Sequence, residues 1–338
     1  MLLAAWAVAS FAIALAGTWL ARRYALRAAL LDHPGERRSH AVATPRGGGI
    51  AIVVAVAPMF VALCLGDGDA RAVLAPVALG WLLVAGIGWL DDHRPLSPAP
   101  RLGVHAVAAA LLAWGLHAGG AGPGVAAAGF VLALALVNVW NFMDGIDGLA
   151  ASQALVAAVA YALFAGAGPV LWLGVVLAAA CAGFLPFNLP RARIFLGDVG
   201  SGALGYLLAA LAALCLPATG WGGASLLVLP LLAFGVDASL TLGRRILRGE
   251  RWWEPHVQHA YQSQARRRGH GPVTAGYLGF ALGASALMLA AKDASPAAMM
   301  CATAIAAALA CGAWWRLQAA ARQAAGQAGA RPGREGNG

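Results

Sequence analysis

Eleven apolar stretches, each close to the roughly 20 residues that cross a hydrocarbon layer, constrain this chain more than any other feature. They lie at about 2–21, 47–65, 72–90, 102–118, 124–142, 148–166, 169–187, 199–217, 223–242, 272–291 and 296–316. Lipid offers backbone N–H and C=O groups no partner, so a spanning segment must close its own hydrogen bonds, as a helix does. Composition points the same way: 61% of the 338 residues are hydrophobic and 11% are charged, with a mean hydropathy of +0.73. A soluble globular chain is roughly a quarter charged. The expected fold is all-α. It is a polytopic membrane bundle of about eleven transmembrane helices forming one domain over 1–316, with a disordered tail over 317–338.

The net charge of +9 would suit a nucleic-acid binder, but the distribution of the charge argues against one. When loops are placed on alternate sides, 21 of the 23 basic residues fall on one side, leaving only Arg71 and Lys292 on the other. Basic loops stay cytoplasmic, so the N-terminus is expected outside and the C-terminus inside. Ala14-Leu15-Ala16 has the look of a cleavage site, yet no basic residue precedes the first apolar run and Arg22 and Arg23 follow it. An uncleaved anchor is the better expectation. The five cysteines lie in or at the ends of apolar spans with no pair at CxxC spacing, and read as small packing residues.

Five polar clusters interrupt this hydrocarbon, and the alternation puts all of them on the cytoplasmic side. The richest is Asn138-Val-Trp-Asn141-Phe-Met-Asp144-Gly-Ile-Asp147-Gly. Ionisable groups at a membrane helix are costly and usually functional. Here they recur every three residues, so they share a helix face or its frayed end. Clustered oxygen ligands of this kind suit a hard divalent cation on phosphates. Asp91-Asp92 ends the third span, where adjacent acids oppose the helix dipole and each other, so metal binding or proton abstraction explains them better than structure does.

Asn188 and Pro190 lead to Phe195, Gly197, Asp198, Gly200 and Ser201 at the start of the eighth span. Taken alone, Asp198 could be a helix N-cap. The loop from Asp32 through Arg37, Arg38 and His40 to Arg46 and Gly47-Gly48-Gly49 brings a cation and open backbone to a helix, which suits phosphate. Two histidines, His256 and His259, sit in an Arg-rich loop, too few for zinc but suited to hydrogen bonding or charge contact with a diphosphate. Asp237 has no assigned role, and Trp252 and Trp253 read as interfacial anchors. These residues imply a membrane enzyme that handles phosphates with a hard metal at one interface.

The combination, in this order, resembles the polyprenyl-phosphate N-acetylhexosamine-1-phosphate transferases, glycosyltransferase family 4 of the MraY-like superfamily. The resemblance runs from roughly Asp32 to the tenth span. It implies a Mg²⁺-dependent enzyme (Mn²⁺ as the alternative ion) of the bacterial inner membrane, working on its cytoplasmic face. Such an enzyme moves a sugar-1-phosphate from a UDP-N-acetylhexosamine-type nucleotide to undecaprenyl phosphate and releases UMP. The partners implied are those two substrates and the lipid bilayer, with a homodimer as the candidate assembly and no nucleic acid. By the same resemblance, Asp91, Asp92 and Asp198 are the catalytic acids, and Asp198, Asp92 and Asp147 the metal ligands. Phe195 would stack on uracil. Asn138, Asn141, Asp144, Asp147 and Asn188 would order the nucleotide and metal shell, and His256, His259 and Arg46 would contact the phosphates.

Two departures narrow the branch. The loop reads His-Val-Gln-His where MraY carries three histidines, and the only lysine, Lys292, is placed outside. A branch that starts O-antigen or other surface polysaccharides, as in lipopolysaccharide, is therefore expected ahead of the muramyl-pentapeptide enzymes. A transporter or lipid flippase is the rival from another class. It would line a path through the bilayer with ionisable groups, whereas only Asp237 falls inside a span.

Overall fold

The computed structural model describes residues 1–32, 42–251, 254 and 256–329. The central part of the first polar cluster, with Arg37, Arg38 and His40, lies outside the described residues, as do Trp252 and Trp253. Among the described residues thirteen α-helices follow one another: α1 Leu2–Arg27, α2 Ile50–Gly66, α3 Gly68–His93, α4 Pro98–Ala118, α5 Pro123–Met143, α6 Leu149–Ala165, α7 Gly168–Asn188, α8 Asp198–Cys215, α9 Trp221–Leu226, α10 Leu232–Leu247, α11 Ala260–Arg268, α12 His270–Ala291 and α13 Pro296–Gly329. Two short strands, β1 Leu31–Asp32 and β2 Thr44–Pro45, pair antiparallel ahead of α2.

Every expected span but the ninth is present essentially as a single helix. Among the described residues nine helical segments are long and apolar enough to cross a membrane, and α2 and α6 add two of 17 residues. A 17-residue helix reaches about 26 Å, slightly short of the ~30 Å hydrocarbon layer. For α6 the shortfall matters little, because most of its residues are buried against protein rather than lipid.

Three differences from the sequence reading have local causes. The ninth span, Gly222–Leu247, is one apolar unit but not one helix: α9 ends at Leu226, a 3₁₀ turn covers Leu229–Leu231, and α10 begins at Leu232. Pro230 sits in the break, where it lacks an N–H and crowds the preceding turn. Within the Arg-rich loop, α11 forms a short helix of its own. Finally, α13 continues to Gly329, past position 317 where the last span was expected to give way to a tail, through an alanine-rich stretch of high helix propensity.

Helix α8 is the axis of the bundle. Some 89% of its span is buried, and α3, α5 and α6 pack around it. With little hydrophobic drive between helices in lipid, close packing and satisfied polar tips hold such a bundle. The Trp81 indole donates to the Ala203 carbonyl at 3.2 Å, and the Tyr206 hydroxyl to Ala108 at 3.0 Å, tying α3 and α4 to α8. On the other flank, α7 packs on α1 and α6, α12 on α6, and α9 and α10 on α13.

Candidate active site

The polar clusters meet at one end of the bundle, built from the start of α2, the end of α3, the start of α4, the end of α5 and the start of α8. Two glycine-rich turns make this possible. Backbone N–H groups of Gly48 and Gly49 donate to the carbonyls of Phe195 and Leu196, at 2.9 and 2.8 Å, and Phe195 N–H donates to Pro45 at 2.8 Å. A Cβ on Gly49 would lie 2.2 Å from Gly200 Cα, so only glycine allows this approach.

Asp92 ends α3 and points across to α8. Its two carboxylate oxygens accept the backbone N–H groups of Asp198 and Val199, each at 3.1 Å. A carboxylate there meets the unpaired donors and positive end of the helix dipole. Asp92 thus has a structural role, where the sequence points to metal binding or proton abstraction. Conversely, Asp198 follows the N-cap Gly197 as the first residue of α8, and its own side chain caps no backbone N–H among the described residues. It faces outward, with its carboxylate 3.2 Å from Arg101. The same guanidinium nitrogen lies 2.7 Å from Asp91, whose other oxygen accepts Leu96 N–H at 2.6 Å. Arg46 donates to the Asp92 backbone carbonyl at 2.5 Å, and its buried Nε has no partner among the described residues.

The turn after α5 divides into closed and open groups. Asn138 bonds the Leu134 carbonyl of its own helix at 2.7 Å. Asp147 pairs with His270 at 3.1 Å, at the start of α12. Asn188 is buried and saturated: its oxygen accepts Gly148 N–H at 2.8 Å and its nitrogen donates to Ile194 at 2.9 Å. These three are braces. Asn141 and Asp144 are half-buried, and their side chains form no hydrogen bond among the described residues. Burial, then the charges of Asp198 and Asp92, push the Asp144 carboxyl up to about 8, so it is largely protonated at neutral pH.

The histidine loop closes this side. Tyr261 on α11 donates its hydroxyl to the Phe142 carbonyl at 2.9 Å, and the His259 ring lies over Phe142. Asp237, inside α10, accepts the N–H groups of Ala260 and Tyr261 at 2.9 and 3.1 Å and so caps α11. It also lies 3.7 Å from His259, which is buried. His256 stands beside His259, 4.8 Å between ring centres. Burial and the neighbouring His259 and Arg245 charges hold it down at about 4, so it meets a ligand as a neutral hydrogen-bonding ring rather than as a cation. The half-exposed Phe195 ring adjoins Asp198 in sequence and shares its loop.

Arg101, His270 and Asp237 complete the site without having been singled out for it. Arg101 did leave a signal: a cation at a helix N-terminus opposes the dipole as the acids at a C-terminus do.

For a hard divalent cation the donors fit one arrangement only. Among the described residues no three His, Cys, Asp or Glu side chains converge on a point, so Asp92, Asp147 and Asp198 are not assembled as a ligand trio. Asp92 and Asp147 are turned to backbone and to His270. What exists is the Asp91–Asp198 pair around a single positive group. Two carboxylates, with water and substrate phosphates completing the shell, are the usual protein contribution to a Mg²⁺ site.

The sequence profile of glycosyl transferase family 4 matches residues 73–216, which include Asp91, Asp92, the α5 turn and Asp198. A phospho-N-acetylmuramoyl-pentapeptide-transferase of Heliobacterium modesticaldum (strain ATCC 51547 / Ice1) is 33% identical over 240 residues, covering 62% of this chain and 74% of that protein. The chain belongs to glycosyl transferase family 4. Two further family members show how far the likeness extends. A decaprenyl-phosphate N-acetylglucosaminephosphotransferase of Mycobacterium tuberculosis (strain CDC 1551 / Oshkosh) is 36% identical over 220 residues, 56% of this chain and 54% of that protein. A Bacillus subtilis (strain 168) protein, named "Probable undecaprenyl-phosphate N-acetylglucosaminyl 1-phosphate transferase", is 28% identical over 296 residues, 80% of each chain. The match thus spans about half the length of the mycobacterial family members.

Proposed function

We propose that this protein transfers N-acetylhexosamine-1-phosphate, or a deoxy-amino sugar-1-phosphate, from a UDP-sugar to undecaprenyl phosphate. The products are a lipid-diphosphate sugar and UMP, as the first membrane step of O-antigen or other surface polysaccharide synthesis. The reading rests on family membership and on relatives named for polyprenyl-phosphate acceptors. One observation carries it furthest: the Asp198 carboxylate, at the tip of the buried axis, is paired with Asp91 through Arg101, stays partly exposed, and lies close enough to Asp144 for its charge to be felt there.

In the reaction a phosphate oxygen of the lipid attacks the phosphorus that bears the sugar, and the bond to the UMP oxygen breaks. Such a transfer needs alignment and charge neutralisation more than covalent help. Arg101 and Arg46 supply fixed positive charge beside the acids. A divalent cation held by Asp198 and Asp91 would neutralise the charge that builds on the diphosphate. Neutral His256 offers a hydrogen bond to a phosphate oxygen, and Phe195 offers a ring face to uracil. The open, protonated Asp144 and the Asn141 amide offer donors to the nucleotide. The arginine-rich end that holds all of these is assigned to the cytoplasmic face.

Likeness to the Heliobacterium protein favours a second reading, the muramyl-pentapeptide substrate on the same site. Purified protein, undecaprenyl phosphate and a panel of UDP-sugars, including the muramyl-pentapeptide nucleotide, would be assayed for UMP release with and without Mg²⁺. UMP release with a UDP-N-acetylhexosamine and Mg²⁺ supports the proposal; release only with the muramyl nucleotide transfers it to the second reading. No lipid-dependent release with any sugar removes both.

A further inference from the structure

We infer that the cavity between α10, α12 and α13 binds one chain of an anionic phospholipid, with its phosphate on Arg268. The cavity measures about 260 Å³ and its walls are mostly apolar, including Val236, Phe280, Ala310 and Leu317. From Pro272 to Phe280 it follows α12 for about 12 Å into the apolar layer. Its polar groups gather toward α11, where Gln264 and Arg268 stand four residues apart and share a helix face.

Two observations at that end call for a ligand. Gln264 is only 2% exposed; its amide nitrogen donates to Leu317 at 2.8 Å, but its oxygen has no partner among the described residues. A buried acceptor left unmet is costly, and since the Gln264 side chain lines the cavity, a turn of its amide would bring the oxygen to a ligand hydroxyl or N–H. Arg268 is exposed, ends the run Arg266-Arg267-Arg268, and forms no ion pair among the described residues. The matching molecule is apolar for about 12 Å and carries an anion and a donor at one end. A phospholipid with a hydroxylated anionic head has that form, and arginine beside a membrane attracts it.

The cavity is separate from the acid site, since Asp91, Asp144 and Asp198 do not line it. It adjoins the support of that site. Tyr277 and Trp314 line it and donate to Asp237 at 2.6 and 3.1 Å, and Asp237 holds the first turn of α11 beside His259. A lipid seated here steadies that turn.

Native mass spectrometry of the full chain, released from micelles doped with phosphatidylglycerol or phosphatidylcholine, tests the site independently of any reaction. We expect one phosphatidylglycerol retained per chain, with phosphatidylcholine held about tenfold less, the scale of one charge-assisted contact. Arg268→Gln should cut retention by about the same factor, and the neighbouring Arg267→Gln should not. Gly276→Leu fills the cavity from a position where an added Cβ meets nothing within 4 Å, and should cut retention too. Equal retention of both lipids, or no effect of Arg268→Gln, would show lipid held without a site and overturn the inference. Displacement by soluble glycerol phosphate would overturn it as well, because the head alone would then suffice.

Discussion

The carboxylate of Asp92 accepts the backbone N–H of Asp198 at 3.1 Å, so one acid fixes the tip of α8 while the other projects from it. The first is 2% exposed and saturated by backbone; the second keeps a side chain 30% exposed. The loop packs closely on Asp92, for a Cβ on Gly197 would lie 2.5 Å from its carboxylate and 2.7 Å from the Gly47 nitrogen.

Asparagine at the two positions should therefore fail in different ways. Asp92→Asn loses an acceptor for one N–H and the charge at the dipole. It should cost about 0.5–2 kcal/mol, the scale of a lost cap, seen as a lower Tm in detergent. Asp198→Asn should keep its Tm and lose at least about a hundredfold in UMP release. Equal melting of both variants would refute the capping role.

Asp144 predicts a pH dependence. Its folded value of about 8 lies above the ordinary carboxylate value of about 4, so the folded protein keeps a proton that the unfolded chain releases. The stability that this proton contributes is complete below about pH 4 and is lost as pH rises through about 8. Thermal melts of wild type should fall across that window, and Asp144→Asn should flatten the fall. Asp198→Asn removes a neighbouring charge and should move the window downward.

Phe195→Ala tests the nucleotide. Stacking of a base on an aromatic ring is worth roughly 1–3 kcal/mol, so the KM for UDP-sugar should rise about tenfold or more. The KM for undecaprenyl phosphate should hardly change. A proportional rise in both would make the ring a packing contact.

Gly197 sits at φ +75°, and a Cβ there would fall 2.5 Å from the Asp92 carboxylate. Gly197→Ala should lower Tm by at least the effect of Asp92→Asn, because it strains the backbone and displaces the cap together. An alanine variant with unchanged melting and turnover would show that the loop has room to shift.

Hydropathy made the spans legible, since lipid selects for it over every residue of a helix. The break at Pro230 was locally visible but masked by the apolar run around it. The acids at span ends were legible because nothing in their own helices explains them. What they touch was not. Asp92 meets its donors 106 and 107 residues away, and Asp147 meets His270 across 123. Two helix caps in trans, from Asp92 and Asp237, look in sequence like unexplained charges, because the cap and its helix are joined only by the fold. Asn188 shows the reverse case. A polar residue beside a site reads as a ligand until its amide is seen to be spent on backbone.

Asn188 joins Gly148 to Ile194, so the turn that carries Asp144 and the loop that leads to Asp198 are riveted by one side chain. A push on either segment is transmitted to the other, and that half of the site yields as a unit. The opposite half hangs on α11, whose first turn is moored by Asp237 and whose preceding loop is tethered by Arg245 to Glu250 and to backbone carbonyls. The site is therefore fastened in two pieces, one riveted through Asn188 and the other moored through Asp237, with no shared pin between them among these bonds.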